Sequence, residues 1–271
     1  MSEKTPPEEL TAGNADRWEL YQQAVQNPAT DIEIITARFR ELRGRDPLVL
    51  REDFAGTALL STEWAKGAEG RRAIAVDIDG AALEWGREHN LLPAGDEVAS
   101  RVELVKADVR EVGGITADVV SAMNFSFNAL TTRPDLLRYL SGVRTAIGSD
   151  GMLILEMYGG TEAIVAAAEE REGDGFTYHW EQEAYNPLTG RTRCHIGFAF
   201  PDGSDLKRAF SYEWRLWSLP EVRDCLAESG FSHISIFWEQ VDEEGAGTGE
   251  YIETNEEENQ ETWLVYIVAA R

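Results

Sequence analysis

The 271-residue sequence has only two cysteines, Cys194 and Cys225. That excludes a disulfide framework and offers no spaced Cys/His set for a metal, so no metal site is expected. Free thiols suit a reducing compartment, which points to the cytoplasm. Long hydrophobic runs are missing too. The most apolar segments, GMLILEMYGG and TWLVYIVAA, are far too short to cross a bilayer, and no membrane partner is expected. The opening MSEKTPPEEL is acidic and polar, and reads as a frayed tail rather than a signal peptide. Basic residues are scarce. There are 25 against 49 acidic ones, a net charge of −24, and only four of the 25 are lysine. Such a field repels phosphate backbones, so nucleic acid is not an expected partner. The balance equally suits a salt-adapted or high-GC source.

What remains is ample for a core: 43% of residues are hydrophobic, with eight Trp and ten Phe. Residues 1–15 read as a disordered tail. Helical spacing of Trp18, Tyr21, Ala24 and Val25, then Ile32, Ile35 and Phe39, predicts two helices broken at Asn27-Pro28. Predicted strands at 47–50, 72–78, 101–108, 117–124 and 151–158 then alternate with helices at 56–67, 80–90 and 133–147. That alternation defines an α/β chain with a doubly wound, mainly parallel sheet. The rhythm breaks near Gly160. FTYHWEQEAY, GRTRCHIGFAF and LKRAFSYEWRLW, joined by the turns NPLT and PDGS, predict a three-stranded antiparallel β insertion after the fifth strand. A helix in LPEVRDCLAESGF and the strands HISIFWEQV and TWLVYIVAA close the chain. The acidic stretch 242–261 between those strands reads as a mobile loop. The expected divisions are a tail and helical cap at 1–45, a core at 46–160, the insertion at 161–217, and the rest of the core at 218–271.

The stretch REDFAGTALLSTEWA, residues 51–65, forms the first strand–loop–helix crossover, where open α/β sheets bind ligands. It holds one glycine, Gly56, where dinucleotide enzymes carry three. The next strand ends in Asp77, 21 residues further on, the spacing at which an acid grips a ribose. The third ends in Asp108, placed to accept a bond from a purine amine. Glu52 and Asp53 before the loop would repel a pyrophosphate, which argues against NAD. An adenosine cofactor that carries positive charge fits better.

On these residues the sequence resembles the class I S-adenosylmethionine-dependent methyltransferases, over roughly residues 15–271. The resemblance implies a Rossmann-like sheet of seven strands and S-adenosyl-L-methionine as cofactor. The family's first motif falls on Glu52-Asp53-Phe54-Ala55-Gly56-Thr57-Ala58, with Phe54 and Ala58 at two usual glycine positions. Its ribose acid falls on Asp77, followed by Ile78, and its adenine-facing acid on Asp108, followed by Val109. Its fourth-strand motif falls on NFSFN, with Asn124 and Ser126 able to hydrogen-bond. That segment also resembles the N-P-P-F motif of DNA amino-methyltransferases, but both prolines are missing. Tyr21 lies in a segment that in related enzymes closes over the methionine part of the cofactor; a packed helix-face tyrosine is the alternative. Arg51, a cation on a central strand, needs Glu52, Asp53 or a cofactor carboxylate as its partner.

The insertion is the candidate substrate cover, or alternatively a homodimer surface. Its aromatics and polar tips nominate Tyr178, Trp214 and Arg215 for substrate contact. Methyl transfer needs alignment and a deprotonated nucleophile, so His179, His195, Glu156 and Tyr158 are the candidate proton acceptors. The expected partner is a small-molecule methyl acceptor reacting at N, O or S. The alternatives are an aminopropyltransferase of the same fold and a non-catalytic S-adenosylmethionine-binding protein. The segment NFSFNALTT lacks the carboxylates a diamine would need.

Overall fold

The computed structural model describes residues 9–271 apart from 243, 244 and 246. Asp16 caps α1 (Arg17–Val25) by accepting the N–H groups of Trp18 and Glu19. Asn27 accepts from the Thr30 N–H to cap α2 (Pro28–Arg43), with Pro28 in its first turn. The Asn27-Pro28 break is thus a capped helix start. β1 (Val49–Asp53) leads to α3 (Leu59–Lys66), and β2 (Arg72–Asp77) to α4 (Gly80–Gly86), which widens into a π turn, Arg87–Leu91. The short α5 (Asp96–Ala99) precedes β3 (Val102–Lys106). β4 (Val119–Ala122), α6 (Arg133–Ala146) and β5 (Met152–Gly159) complete the alternating part. Four strands follow: β6 (Ala167–Glu172), β7 (Thr177–Gln182), β8 (Arg191–Ala199) and β9 (Asp205–Arg215). The chain ends with α7 (Leu219–Glu228), β10 (His233–Val241), β11 (Gly247–Thr254) and β12 (Trp263–Ala270).

These elements form two units, one from residues through Gln26 and 165–214, the other from 27–164 and 215–271. The expected N-terminal cap is therefore divided: α1 goes with the insertion and α2 with the core.

The larger unit is a sheet in the order β11-β10-β12-β5-β4-β1-β2-β3. The pairings from β3 across to β5 are parallel, and β12, β10 and β11 are each antiparallel to their neighbours. The order reverses between β1 and β4, so the switch point lies at the carboxyl ends of those strands. Each face of the sheet buries its own apolar layer. One gathers Leu136, Tyr139, Leu140 and Val143 of α6 over Val120, Ala122, Leu153 and Leu155. The other gathers Ile35 and Phe39 of α2 and Trp64 of α3 over Leu50, Val119, Met152 and Ile154. The sheet has eight strands where seven were expected. The extra one, β11, lies in the stretch read as a mobile loop, of which residues 243, 244 and 246 fall outside the described part. It is an exposed edge strand, so most of its side chains are polar and no alternation marks it.

The smaller unit is a sheet in the order β6-β7-β8-β9, four strands where three were expected. The missed strand is again an exposed edge, AAEERE, paired antiparallel to β7. Leu20 of α1 packs with Phe176, Tyr178, Ile196, Phe198 and Phe200 to make its core. Leu10, Ala12 and Ala15 join them, and the Ala12 N–H donates to Ser204 Oγ at 2.8 Å. Residues 9–15 of the expected disordered tail are therefore held; residues 1–8 lie outside the described part. No helix among the described residues is long and apolar enough to cross a membrane.

Candidate cofactor site

The loop after β1 turns by placing alternate residues in the left-handed region: Phe54 at φ 60°, Gly56 at 53° and Ala58 at 53°. A left-handed residue other than glycine costs about 1–2 kcal/mol, so Phe54 and Ala58 are strained where glycines would not be. Packing offsets part of this. Phe54 meets the Tyr139 ring edge-on at 6.0 Å, and Ala58 is buried with Ala55, Ala75 and Leu83. The loop is tied to β2, with the Ala55 N–H donating to the Val76 carbonyl at 3.0 Å and the Gly56 N–H to Asp77 Oδ2 at 2.7 Å. It is tied to the π turn by Asn90 Nδ2, which donates to the Thr57 carbonyl at 2.9 Å. A Cβ added to Gly56 would meet nothing, so the loop is open on that side. Asp77 Oδ1 accepts the Asp79 N–H at 2.7 Å, and burial raises the Asp77 pKa. Beside it Ile78 stands 69% exposed, an apolar ledge at the strand end.

Beneath the loop, Glu52 Oε2 accepts both the Ser61 N–H at 2.9 Å and its hydroxyl at 2.5 Å. It thereby caps α3, whose N-cap residue Ala58 has no side chain to do so. Burial pushes the Glu52 pKa up to about 7 against the pull of those bonds. Arg51 takes Asp53 as its partner at 2.7 Å and also donates to the Val109 carbonyl at 3.2 Å. The guanidinium is 1% exposed, so it is a buried fixture of the sheet and does not reach an open site as the cofactor-carboxylate reading required. Burial raises Asp53 to about 6, with the Arg51 charge opposing.

At the end of β3, Arg110 grips both oxygens of Asp108 and reaches Asp135 at 2.5 Å. The pair holds the Asp108 pKa below its ordinary value. A purine amine would have to share that carboxylate with Arg110. Val109 is buried behind it.

After β4, Asn124 and Phe125 are both left-handed, at φ 52° and 58°. The Asn124 N–H donates to Glu156 Oε2, and Ser126 Oγ donates to the Met123 carbonyl at 2.6 Å. Phe125 lies against the Tyr158 ring at 4.7 Å. Glu156 is buried and also hydrogen-bonds Tyr266, which hydrogen-bonds Tyr251. Burial, then the charge of Asp31, pushes Glu156 up to about 8. Asp31 itself is raised to about 7 by burial and by Glu52. Asp31, Glu52 and Glu156 thus form one acidic zone under the strand ends. The sequence reading missed Asp31, which looks like an ordinary first-turn helix acid, and also Gly86, Asn90, Arg110 and Tyr266.

The remaining candidates each have partners within their own unit. In the smaller unit, His195 bonds Ser211 Oγ at 2.8 Å and Glu183 at 3.0 Å, so both ring nitrogens are occupied. His179 faces Glu170 at 3.2 Å. Tyr21 packs on Phe210 with ring centroids 5.0 Å apart. Tyr178 is buried against Phe198 with Arg171 over its ring, and Trp214 stacks on Tyr212 at 5.3 Å. In the larger unit, Arg215 donates to Glu221 at 2.9 Å and covers the Trp217 ring.

No family model and no curated protein matches this chain. Solved structures share its fold. An S-adenosylmethionine-dependent methyltransferase from Clostridium acetobutylicum ATCC 824 superposes with a TM-score of 0.69 at 14% identity, over 93% of this chain and 96% of that one. CalS10, an amino pentose methyltransferase from Micromonospora echinaspora solved with S-adenosylmethionine bound, gives 0.64 at 15% identity, over 92% and 94%. The sugar N-methyltransferase KedS8 from Streptoalloteichus sp ATCC 53650 gives 0.62 at 15%, over 100% and 97%. At these identities the likeness establishes the fold. The chain has the doubly wound α/β fold of these methyltransferases.

Proposed function

We propose that the protein is an S-adenosylmethionine-dependent methyltransferase acting on a nitrogen of a small molecule in the cytoplasm. The observation that carries this reading is the loop of residues 54–58, whose Gly56 N–H is held by the β2 acid Asp77 at the switch point of a methyltransferase fold. The residues fit such a cofactor. Beside its amide contacts from Gly56, Asp79 and Ile78, Asp77 retains accepting capacity for a ribose hydroxyl. Ile78 offers an apolar surface for a base, and Gly56 leaves room for close approach. In their ionised forms Asp31, Glu52 and Glu156 favour a ligand with positive charge, whose binding would in turn favour their ionisation, and disfavour a pyrophosphate.

When bound, the cofactor supplies an electrophilic methyl group on a sulfonium. The chain's own part is to bind, orient and exclude water. A nitrogen nucleophile must shed a proton. Glu156, raised to about 8 by burial and with its Oε2 accepting the Asn124 N–H, is the proposed acceptor in its ionised form, which gains population as pH rises toward 8. The nitrogen acceptor is supported by the names of two proteins that share the fold, an amino pentose methyltransferase and a sugar N-methyltransferase. The test is transfer from methyl-labelled cofactor to a panel of amines, phenols and thiols. Labelling of amines that is lost in Asp77→Ala supports the reading. Labelling of phenols or thiols alone would overturn the nitrogen assignment.

A further inference from the structure

The loop of residues 54–58 holds three alternate residues in the left-handed region, and two of them carry side chains. Backbone of this kind persists only where its surroundings over-determine it. Two residues of the next crossover meet the same atom of the loop. Gly86, at the end of α4, lies so close that a Cβ there would stand 2.0 Å from the Thr57 carbonyl oxygen. Asn90 donates its side-chain amide to that oxygen at 2.9 Å. The two residues sit four apart at the junction where α4 widens into the π turn, a helix irregularity frequent at functional sites. On the opposite flank β2 holds Ala55 and Gly56. Residues 55, 56 and 57 are therefore each fixed from outside the loop.

From this we propose that Asn90 is a positioning residue for the cofactor loop, with Gly86 supplying the clearance. An external brace of this form does the work that glycines at 54 and 58 would otherwise do. The inference rests on reading the loop as the cofactor cradle. Asparagine suits the place because its neutral amide donates to a carbonyl, whereas aspartate would set oxygen against oxygen. Asn90 acts through Thr57, so its loss must be recoverable by making the loop itself easier to hold. Glycine at 58 does that, because it adopts the left-handed region without a steric cost.

The experiment compares Asn90→Ala, the isosteric Asn90→Asp, and Asn90→Ala combined with Ala58→Gly. Two quantities are read: hydrogen–deuterium exchange of the ligand-free protein at residues 56–58, and calorimetric affinity for S-adenosylhomocysteine. Both single variants should speed exchange in the loop about tenfold while β4 and β5 exchange as before. They should weaken binding about tenfold, equivalent to ~1.4 kcal/mol. The combined variant should recover most of both losses. Unchanged exchange in Asn90→Ala and Asn90→Asp, or losses that Ala58→Gly does not recover, would overturn the brace. A wild-type protein that fails to bind while Asn90→Ala still loosens the loop would sink the cofactor reading and leave the brace standing.

Discussion

Replacing Gly86 by alanine tests the packing of the candidate site at one atom. The new Cβ would lie 2.0 Å from the Thr57 oxygen, 2.5 Å from its carbonyl carbon and 2.9 Å from its Cα. All three are backbone atoms, so no rotamer change can relieve the overlap, and the loop must retreat by more than an ångström. Overpacking of this kind costs about 1–3 kcal/mol. The retreat also breaks the Asn90–Thr57 bond, about 1 kcal/mol more. In a chain of this size each kcal/mol moves the melting temperature by roughly 2–4 °C, so Gly86→Ala should melt about 4–16 °C lower. Gly142→Ala is the control. It sits within α6, where a Cβ meets nothing, and helix propensity should make it stabilising by about 0.5–1 kcal/mol. Thermal unfolding followed by circular dichroism reads both. If Gly86→Ala melts with the wild type, the close approach of α4 to the loop is wrong.

Three further outcomes are expected. Glu52, Glu156 and Asp31 have folded-state pKa values of about 7, 8 and 7, above the ordinary carboxylate range. The folded protein therefore holds more protons than the unfolded chain, and their contribution to stability is full below about pH 4 and drains as pH rises through 7 to 8. Urea midpoints should fall from about pH 5.5 to 8.5, less steeply in Glu156→Gln; a midpoint that rises would contradict the burial of these acids. Arg51→Met strands Asp53 in the sheet and should cost about 3–5 kcal/mol, with Arg51→Met/Asp53→Asn losing clearly less; equal losses would deny the pair. Ser61→Ala removes the hydroxyl bond to Glu52 and should cost about 1–3 kcal/mol in urea unfolding without changing the helix content.

The central sheet was legible because its strands are buried on both faces and read as short apolar runs between helices. Leu153, Ile154 and Leu155 leave little room for another assignment. The missed strands, β6 and β11, are exposed edges whose pairing is made by backbone, which leaves no mark in side-chain pattern. For the site, Gly56 and Asp77 could be found by spacing, and the structure joins them by a hydrogen bond. Asp31 and Asn90 could not, because each acts across the fold on a residue distant in sequence; Arg110 sits only two residues from Asp108, but spacing does not mark that grip. Gly86 did carry a signal, a glycine inside the helical stretch GAALEWGREHN, where it costs helix stability unless something passes close. Arg51 stood out as a buried cation, yet only the geometry chose Asp53 from its possible partners.

The most direct test is calorimetric titration of the wild-type protein and Asp77→Ala with S-adenosylmethionine and S-adenosylhomocysteine. The account predicts saturable, micromolar binding of both ligands to the wild type and a loss of at least about tenfold, ~1.4 kcal/mol, in Asp77→Ala. Absence of binding in a folded wild-type protein, or equal binding by Asp77→Ala, would contradict it.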